Sequence, residues 1–210
     1  MHFYDVSPLI TEKMIVFPGT PSPKIIQVSS IPENVTNESL ISIGSHTGSH
    51  VDSKLHIQNN ADGSASLKLS SFYGKSRVLD LTKVENEIHQ ADLLKYSIVP
   101  NDIILLKTQN SNNNGHEFNK NYIHVKMDAA EYLVNLHIKT LGFDYLSVKK
   151  FGEDDDVHAL LINNLTLFEG LNLSFVPEGE YLFVGLPLRI DCDGSPARVI
   201  LIKDEDAKVS

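Results

Sequence analysis

Within 44-GSHTGSHVDSKLHI-57, three histidines (His46, His50 and His56) and one aspartate (Asp52) crowd into eleven residues. An imidazole pair with a carboxylate makes a good coordination shell for a borderline cation such as zinc, or for manganese. On a helix, His46 and His50 would share a face. However, Gly44, Ser45, Thr47, Gly48 and Ser49 disfavour a helix here. The alternative is that a strand over 40-LISIG-44 ends in a tight turn. His50, Asp52 and His56, separated by even numbers of residues on an extended segment, would then point to one side, and Gly48 would let the backbone turn so that His46 joins them. Three protein ligands leave coordination positions open, as a hydrolytic metal requires. His56 is then either a fourth ligand or a proton-transfer group, since an imidazole titrates near neutrality. The serines of this stretch carry no G-x-S-x-G elbow, which disfavours a serine hydrolase.

Outside this stretch the chemistry thins out. Cys192 is the only cysteine, which excludes an intrachain disulfide and cysteine-based zinc sites. Its neighbours Asp191 and Asp193 oppose thiolate formation. His2, His89, His116, His124 and His137 read as ordinary polar residues. The net charge of -9 argues against a nucleic-acid groove, although a bound divalent cation would still permit an anionic substrate. No apolar run reaches the ~18 residues of a membrane span. The start MHFYDVSPLI lacks a basic n-region and an apolar h-region, so a cytoplasmic location is expected.

The elements that must position the histidines are mainly strands. Short β-rich runs at 13–17, 24–31, 40–44, 77–81, 102–108, 139–144, 165–168, 181–186 and 198–203 have strand length and turn-rich borders. The runs 103-IILL-106 and 181-YLFVGL-186 look like strands covered on both faces. Helices are expected at 91–97, 127–138 and 157–163, with Asp128 capping the second. Residues 109–121 read as a polar loop, and the acidic run 153–156 as a solvated helix N-terminus. No linker or repeat divides residues 1–210, and a single mixed α/β domain is expected.

The string 46-HTGSHVDSKLH-56 resembles the H-x-G-T-H-x-D-x-P-x-H signature of the cyclase family of metal-dependent hydrolases, which includes bacterial kynurenine formamidases and isatin hydrolases. Weaker similarities follow in the family's order: 4-YDVSPLITEKMIVFPGTP-21, 107-KTQNS-111, 129-AAEYLV-134, 142-GFDYLSV-148, 158-HALLINNLTLFEGL-171 and 193-DGSPARVIL-201. The resemblance implies a swivelling β/β/α fold and one or two divalent cations, zinc first and manganese second. It makes His46, His50 and Asp52 ligands of one cation. Asp52 would bridge to another, completed by His158 and Glu169. His56 matches the family's general acid/base and Phe17 an aromatic position that contacts substrate. The implied reaction is hydrolysis of an amide-type C–N bond in a small molecule, such as an aryl formamide or cyclic amide, by a homodimer or larger homo-oligomer. A non-catalytic metal-binding protein, or a cyclase or dehydratase using the same site, is the alternative.

Three positions depart from the pattern. Ser49 replaces the usual threonine but keeps its hydroxyl. Lys54 replaces the usual proline and would bind an anionic substrate if it points inward, or be solvated if outward. The His158-to-Glu169 spacing is one residue shorter than usual.

Overall fold

A computed structural model describes residues 1–112, 117–154 and 156–203. Its frame is a mixed sheet of strands β1 (His2–Asp5), β4 (His50–Asp52), β5 (Tyr73–Asp80), β7 (Ile103–Lys107), β9 (Thr140–Phe143), β10 (Thr166–Glu169), β11 (Gly179–Pro187) and β12 (Gly194–Lys203). The order is β1-β12-β11-β5-β7-β9-β10-β4, and β4 also pairs with β12, so β4 closes the sheet into a seven-stranded ring. β12 is long enough to serve two partners along one edge, β4 at Gly194–Pro196 and β1 at Ile200–Lys203. Two short pairs lie apart, β2 (Lys24–Ser29) with β3 (Glu38–Ser42) and β6 (Glu87–Ile88) with β8 (His124–Val125).

β5, β7, β9 and β10 run parallel, and helices α1 (Gln90–Leu93), α2 (Met127–Asn135) and α3 (Val157–Asn164) provide cover on their outer side. Strand alternation divides the core in two. Ile104 and Leu106 of β7 face Leu133 and Leu161 of the helices. Ile103 and Leu105 face inward, with Val51, Phe168 and Phe183. Single-residue alternation therefore builds both layers of the expected β/β/α arrangement.

Several sequence expectations need correction. Residues 13–17 form no strand. Phe17 leads into a Pro18–Gly19 turn, closed where the Thr20 amide donates to the Phe17 carbonyl. The apolar character of this segment serves side-chain packing: Met14 lies against Gly48 and Phe17 lines the histidine cavity. β11 is buried on one face only. Tyr181, Phe183 and Gly185 point inward, whereas Leu186 is exposed, because no helix among the described residues covers this antiparallel side. The first helix ends at Leu93, well short of residue 97.

Asp128 does not cap α2. Its carboxylate reaches across to accept the Gln90 amide at the start of α1. The helix itself stops where His137 takes φ +53°, beyond Leu136. Gln109–Asn112 forms a 3-10 turn inside the expected polar loop. His116 and Asp155 fall outside the described residues. β1 and β4 had no strand expectation. β4 is only three residues long, and its buried residues include His50 and Asp52, so no apolar alternation marked it.

Candidate metal centre

The histidine-rich stretch enters the sheet through a turn. The Thr47 amide donates to the Gly44 carbonyl, and Gly48 takes φ +67°, a conformation costly for any residue with a Cβ. Gly170, also at positive φ, follows β10 on the other side, and a Cβ there would meet the Gly48 carbonyl oxygen at 2.3 Å. Two glycines thus let the loop lie against the end of β10, and the Ser49 hydroxyl fastens it by donating to the Gly170 carbonyl. That hydroxyl is the one feature the threonine-to-serine departure preserves. β4 then pairs with β10 so that His50 stands opposite Glu169. His56 arrives differently from the extended path expected: a 3-10 turn over Lys54–His56 swings it back toward His46.

Asp52, fully buried, sits at the centre. Its Oδ1 lies 2.9 Å from His46 Nδ1 and 3.4 Å from His50 Nε2, and its Oδ2 lies 2.9 Å from His158 Nε2. Glu169 Oε2 is 3.6 Å from His50 Nε2, and Oε1 is 3.7 Å from His158 Nε2. The shortened spacing therefore does not part His158 from Glu169. The Val148 amide donates to Glu169 Oε1 and fixes that carboxylate. His50 Nδ1 bonds the Gly48 carbonyl, which leaves Nε2 pointing into the centre. His46–Asp52–His56 and His50–Asp52–Glu169 each bring three donor atoms within 4.8 Å of one another, with Asp52 common to both groups.

The donor set fits a divalent cation. Among the described residues, His50 Nε2 and Asp52 Oδ1 are buried without a hydrogen-bond partner. Orphaned polar atoms at such depth are costly unless something charged faces them. The proton balance points the same way. Burial opposes charge on His50, yet Asp52 and Glu169 outweigh it and push its pKa up to about 10. Burial likewise opposes protonation of His46 and His158, and Asp52 again outweighs it and raises both. Burial works against ionisation of Asp52, but His158, His46 and His50 hold it well below the usual carboxylate range. The cluster demands positive charge, from protons or from a cation.

His56 behaves oppositely. Burial lowers its pKa, and repulsion from His46 and His158 adds to that against the attraction of Asp52. It is therefore the histidine of the group suited to stay neutral and accept a proton at pH 7.

His46, His50, His56, His158 and Glu169 line one side of a cavity of about 380 Å³. Phe17, Tyr122 and Phe151 line it too, and Phe17 packs edge-on to Phe118, with ring centroids 5.2 Å apart. Lys54 stands elsewhere: it is exposed and lines a separate cavity with Asp62 and Lys68. The sequence alternative in which it points outward is the one the fold adopts, because the 3-10 turn sends residues 54 and 56 in different directions.

One residue of the centre escaped sequence reasoning. Asp193 Oδ2 accepts from His46 Nε2 at 2.7 Å and lies 3.5 Å from His56 Nδ1. Its place in 193-DGSPAR-198 was the available signal, but it lies far from the histidines in sequence.

Residues 4–150 match the Cyclase family model, which is more than half of the chain. The chain belongs to the Cyclase family. Among its relatives is a kynurenine formamidase of Bacillus thuringiensis subsp. konkukian, 27% identical over 201 residues that cover 94% of this chain and 95% of that one. A solved structure described as a predicted metal-dependent hydrolase from Bacillus stearothermophilus is 34% identical. It superposes with a TM-score of 0.83 over 95% of this chain and 97% of its own. Isatin hydrolase A from Labrenzia aggregata shares the fold at 19% identity, with a TM-score of 0.83 over 97% and 94% of the two chains. The Cyclase match ends before His158, Glu169 and Asp193, so their place in the centre rests on geometry.

Proposed function

We propose that this Cyclase-family chain is a metal-dependent hydrolase that cleaves an amide-type C–N bond in a small aryl formamide or cyclic amide. The observation that carries the reading is the buried Asp52, common to two groups of three donors whose histidines and Glu169 line an aromatic-walled cavity. The kynurenine formamidase relatives, similar over nearly the full length, support the bond type.

In this reading His46, His50 and Asp52 hold one cation, and Asp52, His158 and Glu169 hold a second. The preference is for zinc, with manganese as the alternative. When bound, a divalent cation supplies Lewis acidity toward a carbonyl oxygen and acidifies water at neutral pH. The chain's own residues do the rest. The aromatic wall with Phe17 orients an aryl ring and excludes water. His56, neutral and beside the donors, takes a proton from the attacking water and delivers it to the departing nitrogen, so the products are an amine and a carboxylic acid, which then ionises to the carboxylate. We place the protein in the cytoplasm as a homodimer or larger homo-oligomer. The hairpin of β2 and β3, with Ile25, Ile26, Leu40 and Ile41 exposed, supports assembly.

The test is metal analysis of protein purified without added cations, followed by hydrolysis assays on formylated aryl amines before and after chelation. The expected result is stoichiometric metal, with activity lost on chelation and restored on re-addition. Protein without bound metal overturns the reading. Metal without turnover on amide, lactam and ester panels favours the non-catalytic alternative.

A further inference from the structure

Asp193 and Gly194 form a seat for His46 that the ligand set does not include. Gly194 pairs with Asp52 where β12 meets β4, so the start of β12 is in register with the centre. The Ser53 amide and hydroxyl both donate to the Asp193 carbonyl, pinning this backbone to the strand that carries the donors. A Cβ on Gly194 would stand 2.6 Å from His46 Cε1 and 3.0 Å from both ring nitrogens, so the imidazole lies directly on the glycine backbone. On the same ring, Nε2 lies within hydrogen-bond distance of Asp193 Oδ2, at 2.7 Å. The other carboxylate oxygen accepts from the Ser45 hydroxyl at 2.9 Å, which fixes the carboxylate plane from the residue preceding His46.

A histidine offers a lone pair from one nitrogen only when the proton resides on the other, and a carboxylate acceptor decides which. We propose that Asp193 is the positioning residue of the centre: it keeps the proton of His46 on Nε2 and leaves Nδ1, which faces Asp52, free for a cation. Gly194 supports the same ring from below. The inference rests on the reading of the site as a metal centre and adds to it a carboxylate that touches neither the cation nor the substrate.

The experiment measures zinc affinity by competition with a chromophoric chelator for wild type, Asp193→Ala and Asp193→Asn. Asp193→Ala should weaken zinc binding about 10- to 100-fold, the usual effect of losing a carboxylate behind a histidine ligand. Asp193→Asn retains an acceptor oxygen and should recover most of the loss. Nitrogen chemical shifts of zinc-loaded wild type should place the His46 proton on Nε2, a readout independent of any variant's folding. A proton on Nδ1, or wild-type affinity in folded Asp193→Ala, overturns the role of Asp193 while leaving the metal centre intact. Wild-type protein that takes up no zinc or manganese overturns the centre itself, and this role with it.

Discussion

Two buried carboxylate sites stand at the ends of strands in the same sheet, and they are satisfied in opposite ways. Asp144, just after β9, accepts the Thr108 amide and hydroxyl and the Ser111 amide and hydroxyl. Its surroundings are neutral donors supplied by the turn after β7. Burial pushes its pKa up to about 6 in spite of those bonds. Asp52 and Glu169 instead face histidines, and one oxygen of Asp52 has no hydrogen-bond partner among the described residues. Both sites are equally deep, so burial does not separate them. What differs is whether the chain brings enough donors of its own. Asp144 is a cross-link between strand ends, whereas the Asp52 centre leaves His50 Nε2 and Asp52 Oδ1 without a hydrogen-bond partner among the described residues.

The comparison can be broken most directly at Asp52. Asp52→Asn removes the carboxylate shared by both donor groups, and should abolish metal retention and lower activity by about 10³-fold or more. Metal content and initial rates on a formylated aryl amine check this. His56→Ala should lower turnover by about 10²- to 10⁴-fold, as removal of a proton-transfer group does, with metal content unchanged. Equal loss of metal would make His56 a ligand instead. Asp144→Ala should do the reverse of Asp52→Asn. It leaves buried Thr108 and Ser111 donors unpaired, costing about 1–3 kcal/mol in a denaturation experiment, and should spare the metal.

The metal-free protein sharpens the contrast through pH. His50 has a folded pKa raised above its ordinary value, so its contribution to stability is complete below about 6.5 and is lost as pH rises through its folded pKa of about 10. Melting of chelated protein should therefore fall across that window, and bound metal should suppress the fall by taking over the protons' role. The smallest effect belongs to Lys54. Lys54→Ala should change KM by no more than about twofold, because its side chain is exposed and lies outside the lining of the histidine cavity.

Legibility in the sequence followed how local each signal was. The cluster 46–56 was visible because donors this close together are uncommon in a polar loop, and the turn at Gly48 followed from glycine's backbone freedom. Most strands were visible through β-branched runs. By contrast, 13-KMIVF-17 misled because the same apolar composition suits a segment that packs across a cavity, and local pattern does not distinguish the two. His158 and Glu169 came only through family resemblance. By local pattern the first was a helix histidine and the second a polar strand end.

The sequence by itself determined the kinds of donor, the stretch that carries most of them, the mixed α/β class and the separate place of His56 in the family signature. Tertiary structure alone decided that β4 closes the ring between β10 and β12, and with it everything that depends on closure. Pairing with β10 sets His50 against Glu169, and pairing with β12 sets Asp52 beside Gly194 and brings Asp193 to His46. The same closure leaves Lys54 outside the histidine cavity. Spacing along a chain constrains only neighbours within a turn or a strand. Contacts between residues more than a hundred positions apart depend on sheet register, which hydrophobic packing across the whole core selects.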